Sequence, residues 1–179
     1  ANKVIQKHPD MFIFSGMVLT LEKNEPFSRY MNFVSEEITY SNYSMFLSTT
    51  MIIHKQVFDK LKGFDEEMGV GARWGGSEET ELLLRALNAG FRVYYTESLI
   101  AYHPETNFSK LTWRQTVHKG YSYGLGRGAL FRKLMNSPQW GWMLWQWAIS
   151  LLKAIGGIGV ASIQGHWKDS IRHCGAFLG

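Results

Sequence analysis

The chain has 179 residues, which suits one ordinary domain or a part of a larger one. Hydrophobic residues make up 45% and charged residues 19%, so the chain can build a core and is not a disordered segment. The single cysteine, Cys174, excludes an internal disulfide framework and a four-cysteine zinc site, and it favours a reducing compartment. The first ten residues are polar, which predicts no secretory signal.

The two ends of the chain differ in charge. Residues 1–105 hold 10 Lys and Arg against 14 Asp and Glu, a balance of −4. Residues 106–179 hold 9 basic residues against one acid, a balance of +8, together with six of the seven tryptophans. We therefore divide the chain into two regions, 1–105 and 106–179. The second is expected to meet an anionic surface, either a membrane or a nucleic acid.

The first part of the chain contains four segments with readable patterns. Residues 11–21 form an apolar run that predicts a buried strand, and residues 45–53 predict a second strand. Residues 27–43 have no clear period and are assigned to an irregular helix. Residues 54–61 have the apolar spacing of a short amphipathic helix, which Gly63 would end.

A loop, a helix and two strands are predicted next. Residues 63–76 contain five glycines, and Ser77 follows as the expected N-cap of a helix over residues 77–89. Residues 91–95 and 99–102 have the composition of short strands. Loop, helix and strand in this order indicate an α/β layered fold.

The second region is predicted to be helical, with a break across the glycines of residues 120–128. A new helix is expected at Ser137-Pro138. Residues 140–163 are largely apolar and carry Lys153 as their only charge, which near the middle of a membrane span would cost about 2.5–3.5 kcal/mol. We therefore favour a helix lying at a membrane interface, or a re-entrant hairpin, over a full span. A buried core helix is the alternative.

The chemistry is concentrated in residues 63–104. Glu78 and Glu79 fall in the first turn of the predicted helix, where their side chains point about 100° apart, so one can face a ligand. First-turn glutamates also favour the helix dipole without any catalytic role. His103 ends the last strand and is a candidate metal ligand or base, although a structural histidine is the commoner explanation.

Residues 63–104 resemble the second half of a glycosyltransferase family 2 domain with the GT-A fold. The resemblance rests on an ordered set of short elements: Gly63-Phe64-Asp65-Glu66, Gly75-Gly76-Ser77-Glu78-Glu79, Leu82 to Arg85, Gly90 to Tyr95, and Tyr102-His103. Trp74-Gly75-Gly76 is also similar to the acceptor-side loop of other GT-A enzymes. The resemblance implies the C-terminal half of a GT-A mixed sheet flanked by helices, followed here by a helical, Trp-rich basic tail.

The resemblance also implies an activity and its residues. A sugar passes from a nucleotide-sugar donor to a glycan or lipid-linked acceptor, with inversion at the anomeric carbon. Glu79 matches the catalytic base, although the family usually has Asp there, and Glu78 would hold the acceptor or orient the loop. Trp74, Gly75 and Gly76 would contact the acceptor. His103 matches a ligand of the Mn or Mg ion on the donor diphosphate.

This sequence departs from the family in one important respect. The family's metal-binding Asp-x-Asp does not occur in the 179 residues. We therefore expect that the chain is the C-terminal portion of a longer enzyme and transfers no sugar alone. The alternative is a non-catalytic glycan-binding module that retains the acceptor pocket.

The basic second region suggests further partners. Arg127 lies among glycines and aromatics and is a candidate contact of the diphosphate; contact with lipid headgroups or simple helix packing is the favoured explanation. The tail tryptophans cluster in an apolar run instead of alternating with Lys and Arg, which disfavours nucleic acid. We expect a cytoplasmic protein, peripheral on the inner face of the plasma membrane, that binds an anionic membrane surface.

Overall fold

A computed structural model describes residues 2–27, 31, 33–104, 110–137, 140–142, 144–146, 148, 149, 152 and 156. The chain divides into two compact units. The first unit is Ala1–Asp65 with Glu79–Thr106, and the second unit is Glu66–Glu78 with Asn107–Gly179. The glycine-rich segment 66–78 thus groups with the later part of the chain, whereas the predicted division into 1–105 and 106–179 stays a prediction.

The fold is mixed α/β, as predicted, with a four-stranded mixed sheet flanked by helices. Strand order across the sheet is β2-β4-β1-β3. The elements in chain order are α1 (Asn2–Lys7), β1 (Ile13–Thr20), β2 (Glu36–Ile38), β3 (Ile52–Ile53), α2 (Lys55–Leu61), α3 (Glu78–Asn88), β4 (Val93–His103) and α4 (Trp113–Leu134).

The centre of the sheet is a parallel pair. All eight residues of β1 are buried, which confirms the strand predicted at residues 11–21. β4 runs parallel to β1 and is one strand, so the prediction of two strands at 91–95 and 99–102 was wrong in this detail. The pairing shifts between Gly16 and Met17, whose partners are Thr96 and Ile100. Gly16 permits this bulge, because a Cβ there would lie 2.1 Å from the Leu99 carbonyl oxygen.

Two sequence predictions on the sheet's flanks were wrong. Within residues 45–53, only Ile52–Ile53 forms a strand, and Ser48–Thr50 is one turn of 3-10 helix. The reason is Thr50, whose hydroxyl accepts from Gly16 N at 2.9 Å and donates to Gly16 O at 3.1 Å, satisfying the backbone groups that a strand would pair. The described part of residues 27–43 contains β2 instead of an irregular helix, because buried Ile38 pairs with Val93.

The core of the first unit packs α2 and α3 against the sheet. α2 and α3 confirm the helices predicted at 54–61 and 77–89. Their residues Val57, Leu83 and Ala86 pack in one cluster with Ile13, Val93 and Tyr95. Burial, with smaller contributions from two nearby glutamates, raises the pKa of the Tyr95 hydroxyl to about 12.

α4 dominates the described part of the second unit. It runs for 22 residues without interruption, so the predicted break at its glycines was wrong. A capping box begins the helix: Thr112 accepts from Gln115 N, and the Gln115 side chain accepts from Thr112 N. The described residues from 140 to 156 are helical, whereas Pro138 of the predicted helix start lies outside the described residues. Among described residues, no helix has the length and apolar character needed to cross a membrane.

Candidate active site

The glycine-rich segment 66–78 is a hydrogen-bonded loop. Trp74 N donates to Glu67 O at 2.8 Å, and both Gly69 N and Gly76 N donate to Trp74 O at 2.8 Å. The Arg73 guanidinium lies over the Trp74 ring, 4.7 Å from its centre, and is 3.6 Å from the Glu67 carboxylate. These contacts hold the backbone of the loop around Trp74.

The loop packs directly on α4. The Ser122 hydroxyl donates to Gly75 O at 3.2 Å, and a Cβ on Gly75 would lie 1.7 Å from the Ser122 oxygen. A Cβ on Gly126 would lie 2.3 Å from Gly76 O, so loop and helix backbones touch there. Glycine is therefore required at residues 75 and 126 for a close approach of two backbone segments. Gly75, Gly76 and Gly126 are all buried.

Arg127 lies on this same helix, next to Gly126. Its side chain is exposed, and α4 contains five basic residues and no acidic residue, so the helix is positively charged. The second unit therefore contains four of the predicted site residues: Trp74, Gly75, Gly76 and Arg127. Sequence reasoning did not identify Ser122 or Gly126, because it treated the glycines of residues 120–128 as a helix break.

The acidic pair begins α3, as predicted. Glu78 packs against the loop: its carboxyl carbon would lie 3.3 Å from a Cβ on Gly69. Glu79 is half-buried. Ser77 directly precedes the helix with φ at 69°, in the left-handed region, instead of the extended conformation usual for an N-cap. The loop therefore ends in a tight turn directly before the two carboxylates of the first helical turn.

A buried ion pair fixes the body of α3 within the first unit. Arg85 contacts both carboxylate oxygens of Glu81, at 2.7 to 2.9 Å, and the Glu81 side chain is only 6% exposed. The same guanidinium donates to Leu61 O at 2.5 Å and Gly63 O at 2.9 Å. Arg85 is thus the structural partner of a carboxylate, and it joins the end of α2 to α3.

His103 ends β4 in the first unit, the unit that also contains Glu79. Its Nδ1 lies 2.8 Å from Pro104 O, and its ring packs edge-on to Phe27 with ring centres 4.7 Å apart. A carbonyl oxygen can only accept, so Nδ1 carries the proton when this bond forms and Nε2 of the neutral ring is left as the acceptor. That tautomer suits both roles predicted for His103, a metal ligand and a base.

The described residues do not build a metal site by themselves. They contain no group of three or more His, Cys, Asp or Glu side chains that could hold a metal ion. A Mn or Mg ion at His103 would need oxygen ligands from elsewhere.

Comparison with known proteins adds nothing to this geometry: no family model matches the chain, and no curated protein or solved structure matches it.

Proposed function

We propose that this chain is the acceptor-side part of an inverting glycosyltransferase, which transfers a sugar from a nucleotide-sugar to a glycan or lipid-linked acceptor. The observation that carries the proposal is the junction of loop and helix at residues 74–79. A tight, hydrogen-bonded glycine loop ends directly at two carboxylates in the first turn of α3. Acceptor binding needs such a close backbone approach, and hydroxyl activation needs such a base.

Glu79 is the proposed base. Its carboxylate takes the proton of the acceptor hydroxyl while that oxygen attacks the anomeric carbon of the donor sugar. The new carbon–oxygen bond forms as the bond to the diphosphate breaks, and the diphosphate leaves with the electron pair on the opposite face. The acceptor oxygen attacks from the face opposite the departing diphosphate, and this inverts the anomeric carbon. A carboxylate oxygen of Glu79 is the proton acceptor in this step.

Glu78 and the loop position the acceptor in this proposal. Glu78 packs on Gly69 and so supports the loop backbone. Trp74 offers an aromatic face to a sugar ring, and the contacts of Gly75 and Gly76 with α4 hold that part of the loop in place. Arg127 provides a positive charge on the helix that holds the loop and is proposed to attract the donor diphosphate.

The test is sugar transfer by the full-length gene product from a panel of labelled UDP-, GDP- and dTDP-sugars. The full-length product is used because the 179 residues lack an Asp-x-Asp. Glu79→Gln should lower the rate about 10²–10⁴-fold with the fold intact, because a general base typically contributes that much. Glu79→Asp, which restores the residue usual in the family, should retain most of the rate.

Glu66→Gln is the matched control, since Glu66 is an exposed carboxylate in the same loop segment. It should leave the rate unchanged. Wild-type turnover by Glu79→Gln would reject Glu79 as the base. A wild-type protein that binds oligosaccharides in calorimetry but transfers no sugar from any donor would instead support the glycan-binding module.

A further inference from the structure

One face of α4 combines basic and aromatic side chains and is exposed. Successive helical residues turn by about 100°, so residues 113, 114, 118, 121 and 132 lie within an arc of about 140°. We call this set the outer face of α4: Trp113, Arg114, His118, Tyr121 and Arg132. All five are exposed, Trp113 by 54% and Tyr121 by 44%. No acidic residue occurs anywhere in α4 to offset the charge.

The described residues that follow α4 expose large apolar side chains. Trp140, Leu144, Trp145 and Leu152 are exposed by 49%, 38%, 63% and 68%, and each is helical. Their spacings of four, one and seven residues put them on one side of a helix. Leaving several large apolar side chains in contact with water is costly unless a partner covers them, so this set is a candidate interaction surface.

The chemistry of the two sets identifies the partner. The outer face of α4 attracts negative charge, and the apolar set needs a hydrocarbon or interfacial environment. The basic set and the apolar set follow each other along the chain, because residues 134–152 contain no Lys or Arg. The aromatic and basic side chains of α4 alone would also suit a nucleic acid, but the exposed aliphatic side chains of Leu144 and Leu152 cannot stack on bases and need an apolar partner. Trp and Tyr favour the headgroup level of a bilayer, and paired basic and apolar signals produce stable peripheral binding.

We propose that the second unit binds an anionic lipid surface, with the outer face of α4 on the headgroups and Trp140, Leu144, Trp145 and Leu152 inserted at the interface. The Arg114 guanidinium lies 5.4 Å from the centre of the Trp113 ring, so charge and aromatic surface reach the lipid together. This inference does not depend on the proposed sugar transfer.

The test is co-sedimentation of the full 179-residue chain with vesicles of phosphatidylcholine, with and without phosphatidylglycerol. Binding should be stronger to the anionic vesicles and should weaken as salt is raised. Arg114→Ala with Arg132→Ala should weaken binding to the anionic vesicles about 25-fold, because each basic residue near such a surface contributes about fivefold. Lys3→Ala with Lys7→Ala is the control, since both lysines are exposed on α1 in the first unit.

A second pair of variants tests the apolar contribution. Trp145→Ala should weaken binding to both kinds of vesicle, whereas Phe33→Ala, which removes an aromatic side chain 70% exposed in the first unit, should not. Circular dichroism checks that each variant is folded. Equal binding to neutral and anionic vesicles, an arginine pair without effect, or tighter binding to a single-stranded oligonucleotide than to anionic vesicles would each overturn the proposal.

Discussion

Helices α3 and α4 are buried in different ways. The buried face of α3 consists of three leucines, Ala86 and the paired Glu81. The buried face of α4 is poorer in side-chain volume, with Thr116, three glycines and two leucines. Packing of branched side chains holds α3 in the core of the first unit, whereas α4 permits backbone contact with the loop in the second unit. Large buried side chains therefore stabilise α3. In α4, the lack of side chains at its buried glycines lets the helix backbone approach the loop.

The difference extends to charge. α3 begins with two carboxylates, and α4 contains only basic charged residues and presents aromatic side chains to solvent. In our account, the first helix supplies the proton acceptor of the reaction, and the second supports the acceptor loop and meets the lipid surface. We therefore expect α3 to be destabilised when side-chain volume is removed from its buried face, and α4 to be destabilised when side-chain volume is added to its buried face.

The largest effect on stability is expected from removing volume in α3. Leu83 is fully buried in the core of the first unit. Leu83→Ala should lower the free energy of unfolding by about 2–5 kcal/mol, through lost burial and the cavity left behind. Urea denaturation measures the change. Leu144→Ala, at an exposed position, is the control and should change stability by less than about 0.5 kcal/mol. Similar losses in both variants would contradict the assignment of Leu83 to a packed core.

A smaller effect is expected from adding volume to α4. Gly126→Ala places a Cβ 2.3 Å from Gly76 O, and neither backbone can yield as a flexible side chain does. We expect a loss of about 1–3 kcal/mol, together with faster amide hydrogen exchange in residues 66–78.

Gly141→Ala is the matched control for that variant. Gly141 is helical and has no neighbour within 4 Å of an added Cβ, so the substitution should be neutral or stabilise the chain by up to about 1 kcal/mol. An unchanged exchange pattern of residues 66–78 in Gly126→Ala would show that α4 does not hold the loop.

The smallest effect concerns pH and the core around α3. Tyr95 packs with Leu83, and its pKa is raised by burial, and by two nearby glutamates, to about 12. Its contribution to stability is fully present below pH 10, the pKa of an unfolded tyrosine, and is lost as the pH rises towards about 12. Tyr95→Phe should therefore lose less stability than wild type between pH 10 and 12, measured by urea denaturation. An identical pH dependence of the two proteins would contradict the burial of a neutral hydroxyl.

The sequence predicted those elements whose pattern depends on side-chain burial alone. β1 and α3 are of this kind, because the apolar run of β1 indicates a buried strand and the leucine spacing of α3 indicates an amphipathic helix. The strand predicted at residues 45–53 was wrong because the Thr50 side chain, and not a strand backbone, bonds Gly16. That contact joins residues 34 positions apart, and no local pattern indicates it.

The candidate site was predicted only in part for the same reason. Glu78 and Glu79 are readable as a helix start, and their positions agree with the structure. The glycines of α4 have a low helix propensity, which favours a break, but tertiary contact with the loop overrides it. Ser122 was missed because a serine in a helix has no signature that indicates a contact with Gly75, 47 residues away.

Chemical rescue of Glu79→Ala tests the central claim most directly. Alanine removes the proposed base and leaves space for a small anion at its position. In the full-length gene product, Glu79→Ala should transfer sugar about 10²–10⁴-fold more slowly than wild type, and added formate should restore part of the rate by accepting the acceptor's proton. Glu78→Ala, whose side chain supports the loop, should not respond to formate. Wild-type turnover by Glu79→Ala, or rescue of Glu78→Ala alone, would contradict the account.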